Sequence, residues 1–167
     1  WEPEAQYKWT DAGFSPVRAI PPLIYEAHVG MAREEGGIGT YNEFTKNMLP
    51  RIKKDGYNCI QLMGIMEHPY YASFGYQVTN FFAASSWFGT PEDLKNLINT
   101  AHEMDIAVLL DIVHSHARGN YSEGISDFDG PQTQFFHAGG RVFPPPWGRR
   151  VFDYGRPHVP PLLLSNV

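Results

Sequence analysis

Apolar and polar positions switch between two periods along the chain, and the switches mark its elements. Leu23-Ile24-Tyr25-Glu26-Ala27-His28-Val29-Gly30 alternates in β-forming residues and predicts a first strand. After a polar loop over residues 34–39 the period lengthens, with Phe44, Met48, Leu49 and Ile52 on one helical face. Thr40 followed by Glu43 fits a reciprocal capping pair, so a helix is predicted from there to about residue 54, stopped by Gly56. Pro50 lies inside it and predicts a kink or a loosened turn. Residues 58–65 form a second apolar strand, and residues 67–79 follow as a long aromatic loop. Thr90-Pro91-Glu92-Asp93 opens a second helix: a capping hydroxyl, proline at the first helical position, then acids against the dipole. Leu94, Leu97, Ile98 and Ala101 share its inner face. Residues 105–113 make a third strand, whose run Val108-Leu109-Leu110 reads as buried.

The order β-α-β-α-β argues an α/β fold with a parallel sheet and crossover helices. The character changes after His116: seven of the 14 prolines fall in the last part, and no fourth strand or further helix is predicted there. Residues 1–22, with Pro3, Pro16, Pro21 and Pro22 and no sustained period, read as a linker. Three βα units do not close a barrel, which typically takes about 250 residues.

Composition narrows the function. The 167 residues are 43% hydrophobic and 19% charged, within the range of a globular domain. A net charge of −5 offers no basic field for nucleic acid or an anionic membrane. Aromatics reach 14%, and ring faces suit sugars as well as cores. The single cysteine, Cys59, sits in an apolar segment and reads as a small buried hydrophobe in a reducing compartment. No apolar run has membrane-spanning length and the first residues do not form a signal peptide, so the expected address is the cytoplasm.

Polar groups collect where the three predicted strands end, the rim at which α/β folds hold ligands. Glu26 and His28 share one side of the first strand, where pairing with each other is the simpler reading. Glu67 and His68 open the aromatic loop, which reads either as an apolar lid or as a mount from which Tyr76 offers a ring to a ligand. Asp111, His114 and His116 leave the third strand, where such groups are costly unless paired or used. The residues leave open whether they satisfy one another or serve a site. His114-Ser115-His116 also admits a zinc hydrolase, completed by His28, Asp111 or His137; two ligands fall short of the three a catalytic zinc takes, and no metal is assigned. Residues 35–39 lack the lysine of a phosphate loop, and no Gly-x-Ser-x-Gly elbow occurs.

Several linked motifs stand in a familiar order: Ile24-Tyr25-Glu26-Ala27-His28-Val29-Gly30-Met31, Gly39-Thr40-Tyr41, Met66-Glu67-His68-Pro69, Gly75-Tyr76-Gln77-Val78-Thr79-Asn80-Phe81-Phe82-Ala83, Phe88-Gly89-Thr90-Pro91-Glu92-Asp93-Leu94 and Asp111-Ile112-Val113-His114-Ser115-His116. Together they resemble the 1,4-α-glucan branching enzymes of the α-amylase family of glycoside hydrolases, closely over residues 22–137 and loosely beyond. The Glu67-His68-Pro69 and His114-Ser115-His116 forms look like the branching members rather than amylases in general.

The resemblance implies a (β/α)8 TIM barrel, of which this chain carries a partial copy covering about the first three βα units and an irregular proline-rich C-terminal part. Residues 1–22 are then the linker from an upstream domain, and residues 23–167 the N-terminal part of the catalytic barrel. The implied reaction moves an α-1,4-glucan segment onto a 6-hydroxyl by retaining double displacement, as in glycogen synthesis. The implied partner is a glycogen- or starch-like α-1,4-glucan, with no cofactor. By motif match the resemblance implies that Tyr76 stacks on the sugar in the subsite that holds the reacting ring, that His116 hydrogen-bonds that ring's hydroxyls, and that Asp111 mainly braces the site through its neighbours. His28, Glu67, His68 and His114 are secondary candidates.

The departures bear on activity. In the family the nucleophile follows the fourth strand in an Arg-x-Asp setting, the acid/base glutamate the fifth, and a stabilising aspartate the seventh. None of these blocks occurs in the 167 residues, so the isolated chain is expected to be inactive, with a non-catalytic glucan-binding remnant as the alternative. Phe152-Asp153-Tyr154-Gly155 and Leu162-Leu163-Leu164-Ser165-Asn166 resemble the approach to the helix before strand four. There Pro157, Pro160 and Pro161 should make a helix fail or start late. Pro144-Pro145-Pro146-Trp147-Gly148 also departs from the pattern, and Trp87 stands where a basic residue is more usual.

Overall fold

The computed structural model describes residues 5–16, 20–119, 124–125, 134–137 and 149–167. Its strands are β1 (Ile24–Ala27), β2 (Cys59–Leu62), β3 (Met66–Glu67), β4 (Asn80–Ala84), β5 (Ala107–Leu110), β6 (His116–Arg118) and β7 (Arg149–Val151). Its helices are α1 (Tyr41–Glu43), α2 (Leu49–Lys54), α3 (Pro91–Glu103) and α4 (Val159–Leu164). They fall into two units, Trp1–Met63 with Ala84–Asp111 and Gly64–Ala83 with Ile112–Val167.

The first unit is a three-stranded parallel sheet in the order β1-β2-β5, with Ala27 beside Leu62 and Leu62 beside Leu110. The central strand is the shielded one: Ile60 and Leu62 are fully buried. The outer strand β5 is not, and the buried reading of its run needs correction. Leu109 and Leu110 are each 44% exposed, because β5 has a strand on one side only. All three strands are shorter than predicted, and Val29–Met31 already turns as a single 3-10 turn.

Both helix starts form as the spacing predicts. Thr40 N–H donates to Glu43 Oε2 at 2.9 Å while Glu43 N–H donates to Thr40 Oγ1 at 3.2 Å. Thr90 and Asp93 repeat the exchange at 2.8 and 3.2 Å. Between α1 and α2 the backbone widens into a π turn over Phe44–Met48, just ahead of Pro50. Proline has no N–H and its ring meets the carbonyl four residues back, so a wider turn relieves both faults. α3 ends with Ile106 N–H on the Ala101 carbonyl at 2.8 Å and Asp105 N–H on the His102 carbonyl at 2.9 Å, and Asp105 takes the left-handed position at φ 61°.

Residues 10–14 dock on α3. Thr10 N–H donates to Asn99 Oδ1 and Asn99 Nδ2 donates to Thr10 Oγ1, both at 2.8 Å. The Asp11 carboxylate lies 2.6 Å from His102 Nδ1, and the Phe14 ring stacks on that imidazole at 3.9 Å. These partners explain a buried asparagine on the helix.

In the second unit β3 pairs with β4, and β6 pairs antiparallel with β7. The β6–β7 pair corrects the sequence reading, which expected no strand after His116, whereas β3 takes only Glu67 from the predicted loop over residues 67–79. The core gathers Met66, Val78, Phe81, Val113, Phe136 and Phe152, with Val159 and Leu163 from α4. Phe136 stacks on Phe152 at 5.0 Å. α4 is a helix where the pattern predicts none, and it starts late, opening at Val159 with Pro160 and Pro161 in its first turn, where a missing N–H costs least. The departure at residues 144–148 lies outside the described residues.

Candidate functional site

At the C-terminal edge of the parallel sheet, His28 and Asp111 each stand one residue past a strand, β1 and β5. Asp111 N–H donates to the Leu62 carbonyl at 3.0 Å, which carries the register one step beyond β5. His28 is 8% exposed and meets the Phe88 ring edge-on at 5.4 Å. Glu26 accepts from Gln61 Nε2 at 2.9 Å, its registered neighbour on β2. A cleft of about 700 Å³ opens beside β1, lined by Glu26, His28, Arg33, Glu43, Asn47 and Arg51 among others.

The second unit holds Tyr76 and His116 together. Gly64 and Gly75 make the approach to Tyr76 possible, at φ of 56° and 89°. A Cβ on Gly64 would lie 1.9 Å from the Phe74 carbonyl oxygen, and one on Gly75 would lie 2.2 Å from that of Gly64. Two backbones thus touch where side chains would keep them apart. Phe74 itself sits in the left-handed region at φ 54°, where a residue with a side chain is uncommon. Tyr76 follows, its ring partly buried against the unit's core.

His116 Nε2 lies 2.8 Å from the main-chain carbonyl oxygen of Tyr76, and its Nδ1 lies 2.7 Å from Ser115 Oγ. Burial holds the imidazole below its ordinary pKa; the carbonyl bond opposes that, and the nearby Arg149 charge reinforces it. The ring is therefore neutral near pH 7. A carbonyl only accepts, so Nε2 carries the proton and donates to Tyr76, while Nδ1 accepts from the Ser115 hydroxyl.

The remaining candidates have structural partners. His68 is fully buried, with Nδ1 2.8 Å from the Met66 carbonyl, and Glu67 Oε1 accepts from the His68 N–H at 3.0 Å. His114 Nε2 lies 2.6 Å from Asn166 Oδ1, and the His114 carbonyl accepts from the Tyr154 hydroxyl at 2.7 Å. Tyr154 and Asn166 were not singled out as site residues. Each meets a partner 40 or 52 positions away, and no local pattern announces that. His137 Nδ1 lies 3.5 Å from Asp153 Oδ2. Among the described residues no three His, Cys, Asp or Glu side chains form a metal-binding group. The zinc reading therefore finds no ligand set in this geometry.

The profile of the alpha amylase catalytic domain matches residues 31–151. The chain belongs to the α-amylase family. Its curated relatives include the 1,4-alpha-glucan-branching enzyme of Yarrowia lipolytica, 56% identical over 167 residues, and that of Saccharomyces cerevisiae, 56% identical over 170. Each alignment covers 100% of this chain and 24% of the relative, so this α-amylase-family chain spans about a quarter of their length. Among solved structures, a Salmonella typhimurium protein described as an alpha amylase superposes with a TM-score of 0.78 and 28% identity, over 96% of this chain and 25% of that one. The α/β class expected from the alternation of elements is that of the family. Among the described residues no helix is long and apolar enough to cross a membrane.

Proposed function

We propose that these residues are part of the catalytic barrel of a 1,4-α-glucan branching enzyme, the first three βα units of a (β/α)8 fold. The reading is carried by 56% identity to branching enzymes across the whole chain, joined to the Glu67-His68-Pro69 and His114-Ser115-His116 forms. On it, residues 1–22 link to an upstream domain and residues 23–167 begin the barrel, in a cytoplasmic enzyme of glycogen synthesis. The whole protein transfers an α-1,4-glucan segment to a 6-hydroxyl.

Within this chain the roles are those of binding. Tyr76 offers its ring face to the sugar beside the scissile bond, His116 presents its edge to ring hydroxyls, and Asp111 braces the strand end. Glu67, His68 and His114 support that surface within the second unit, and His28 is a secondary candidate at the end of β1 in the first. The carboxylates that carry double displacement are supplied by later barrel strands, so the 167 residues bind glucan without branching it. A titration of the purified chain with maltoheptaose, alongside an α-1,6-linked dextran oligosaccharide, tests this. Saturable binding of the α-1,4 oligomer with no new branches on amylose is the expected result. Absence of binding, or branch formation by this chain alone, overturns it.

A further inference from the structure

Phe81, His114 and Asn166 are joined by one side-chain amide. Asn166 Nδ2 donates to the Phe81 main-chain carbonyl at 2.5 Å, and Asn166 Oδ1 lies 2.6 Å from His114 Nε2. The orientation is determined by chemistry: the carbonyl can only accept, so it faces the NH2, and Oδ1 is left for the imidazole. Because Oδ1 only accepts, His114 carries its proton on Nε2.

We infer that Asn166 is a positioning residue for the pair Tyr76 and His116, acting through His114; this deepens the glucan-binding reading and rests on it. The segment from Tyr76 to Phe81 and the segment from His114 to Arg118 are cross-linked three times. His116 Nε2 holds the Tyr76 carbonyl, Arg118 N–H holds the Val78 carbonyl at 2.9 Å, and the Asn166 amide spans Phe81 and His114. Tyr154 adds a hold on the His114 carbonyl. Asn166 follows α4, which is anchored in the same core through Val159 and Leu163. An asparagine serving only to end α4 would spend its amide on that helix's last carbonyls. This one spends both ends on residues 85 and 52 positions away. A bond from His116 to one main-chain oxygen holds its geometry only while both segments stay in register, and Asn166 closes the far side of that frame.

The test compares the purified chain with Asn166→Ala, Asn166→Asp, His114→Gln and His114→Ala variants. Maltoheptaose affinity is measured by calorimetry, and ring-nitrogen NMR follows the His116 tautomer and titration. Asn166→Ala should weaken binding about fivefold, within the range one lost hydrogen bond covers, and move the His116 midpoint up as the ring gains solvent. His114→Gln, whose amide replaces the Nε2–H donor, should bind within about twofold of the parent while His114→Ala does not. Asn166→Asp keeps the acceptor for His114 and loses the donor to Phe81, so it should fall between. Unchanged affinity and an unchanged His116 signal in Asn166→Ala overturn the inference. If that variant unfolds, equal binding by His114→Gln and His114→Ala overturns it instead. If the parent binds no glucan, the glucan reading fails, and the His116 signal alone decides whether Asn166 positions the ring.

Discussion

His116 Nε2 donates to the main-chain carbonyl of Tyr76 at 2.8 Å, not to its phenol. The bond uses the Tyr76 backbone and so does not depend on the phenol. Two roles carried by one residue can be separated by mutation.

Tyr76→Ala should weaken maltoheptaose binding at least tenfold, about 1.4 kcal/mol, and leave the His116 Nε2–H signal in place. Calorimetry and ring-nitrogen NMR on one sample check both halves. Affinity equal to the parent's would remove the stacking role.

Stability should depend on pH through His116. Burial depresses the folded-state pKa below the ordinary 6.5, so the unfolded chain takes up the proton first as pH falls. The contribution is complete above 6.5 and is lost as pH falls through 6.5 toward the lower folded value. Urea midpoints between about pH 7.5 and 5 should show the parent losing stability relative to His116→Gln, which cannot titrate. A constant difference across that range would contradict the depressed pKa.

Gly64→Ala should destabilise the second unit. The left-handed backbone alone costs about 1–3 kcal/mol for a residue with a Cβ, and contact with the Phe74 carbonyl adds to it. The expected observation is an early loss of near-ultraviolet dichroism from the aromatic core. A midpoint matching the parent would mean that the two backbones separate at little cost.

Thr90→Ala removes one half of the reciprocal cap on α3 and should cost about 1 kcal/mol. Asp93 is held below the usual carboxylate range chiefly by the Thr90 backbone N–H, so its share is present above the unfolded carboxylate pKa and lost as pH falls. Of the bonds to that carboxylate, Thr90→Ala keeps the N–H and loses only the hydroxyl's own bond to Asp93 Oδ2 at 2.8 Å. Denaturant unfolding at neutral and acid pH should therefore show its effect shrinking in part while the variant still loses stability in acid.

Much of the first unit is legible in the sequence. Thr40 with Glu43 and Thr90 with Asp93 are exchanges between residues three apart, and such exchanges are written in the local sequence. Pro50 announced a disturbed helix for the same reason, because its faults act within one turn. In the second unit the late start of α4 at Val159, though not the helix itself, follows from where proline can sit. The motifs from Ile24 to His116 carried the family.

What the tertiary structure alone decided is every partnership that closes over a long stretch of chain. β6 meets β7 through His116 and Val151, two residues whose own neighbourhoods carry no strand-length period. Leu109 and Leu110 read as buried because apolarity is local, whereas exposure depends on whether another strand lies alongside. His114 read as a site candidate because an imidazole at a strand end has no evident partner in sequence. Its partner, Asn166, arrives 52 residues later, brought by the packing of α4. Period and capping are set by neighbours a few bonds away, so sequence determines them. A polar group's partner is set by which distant segments the core draws together, and only the folded chain settles that.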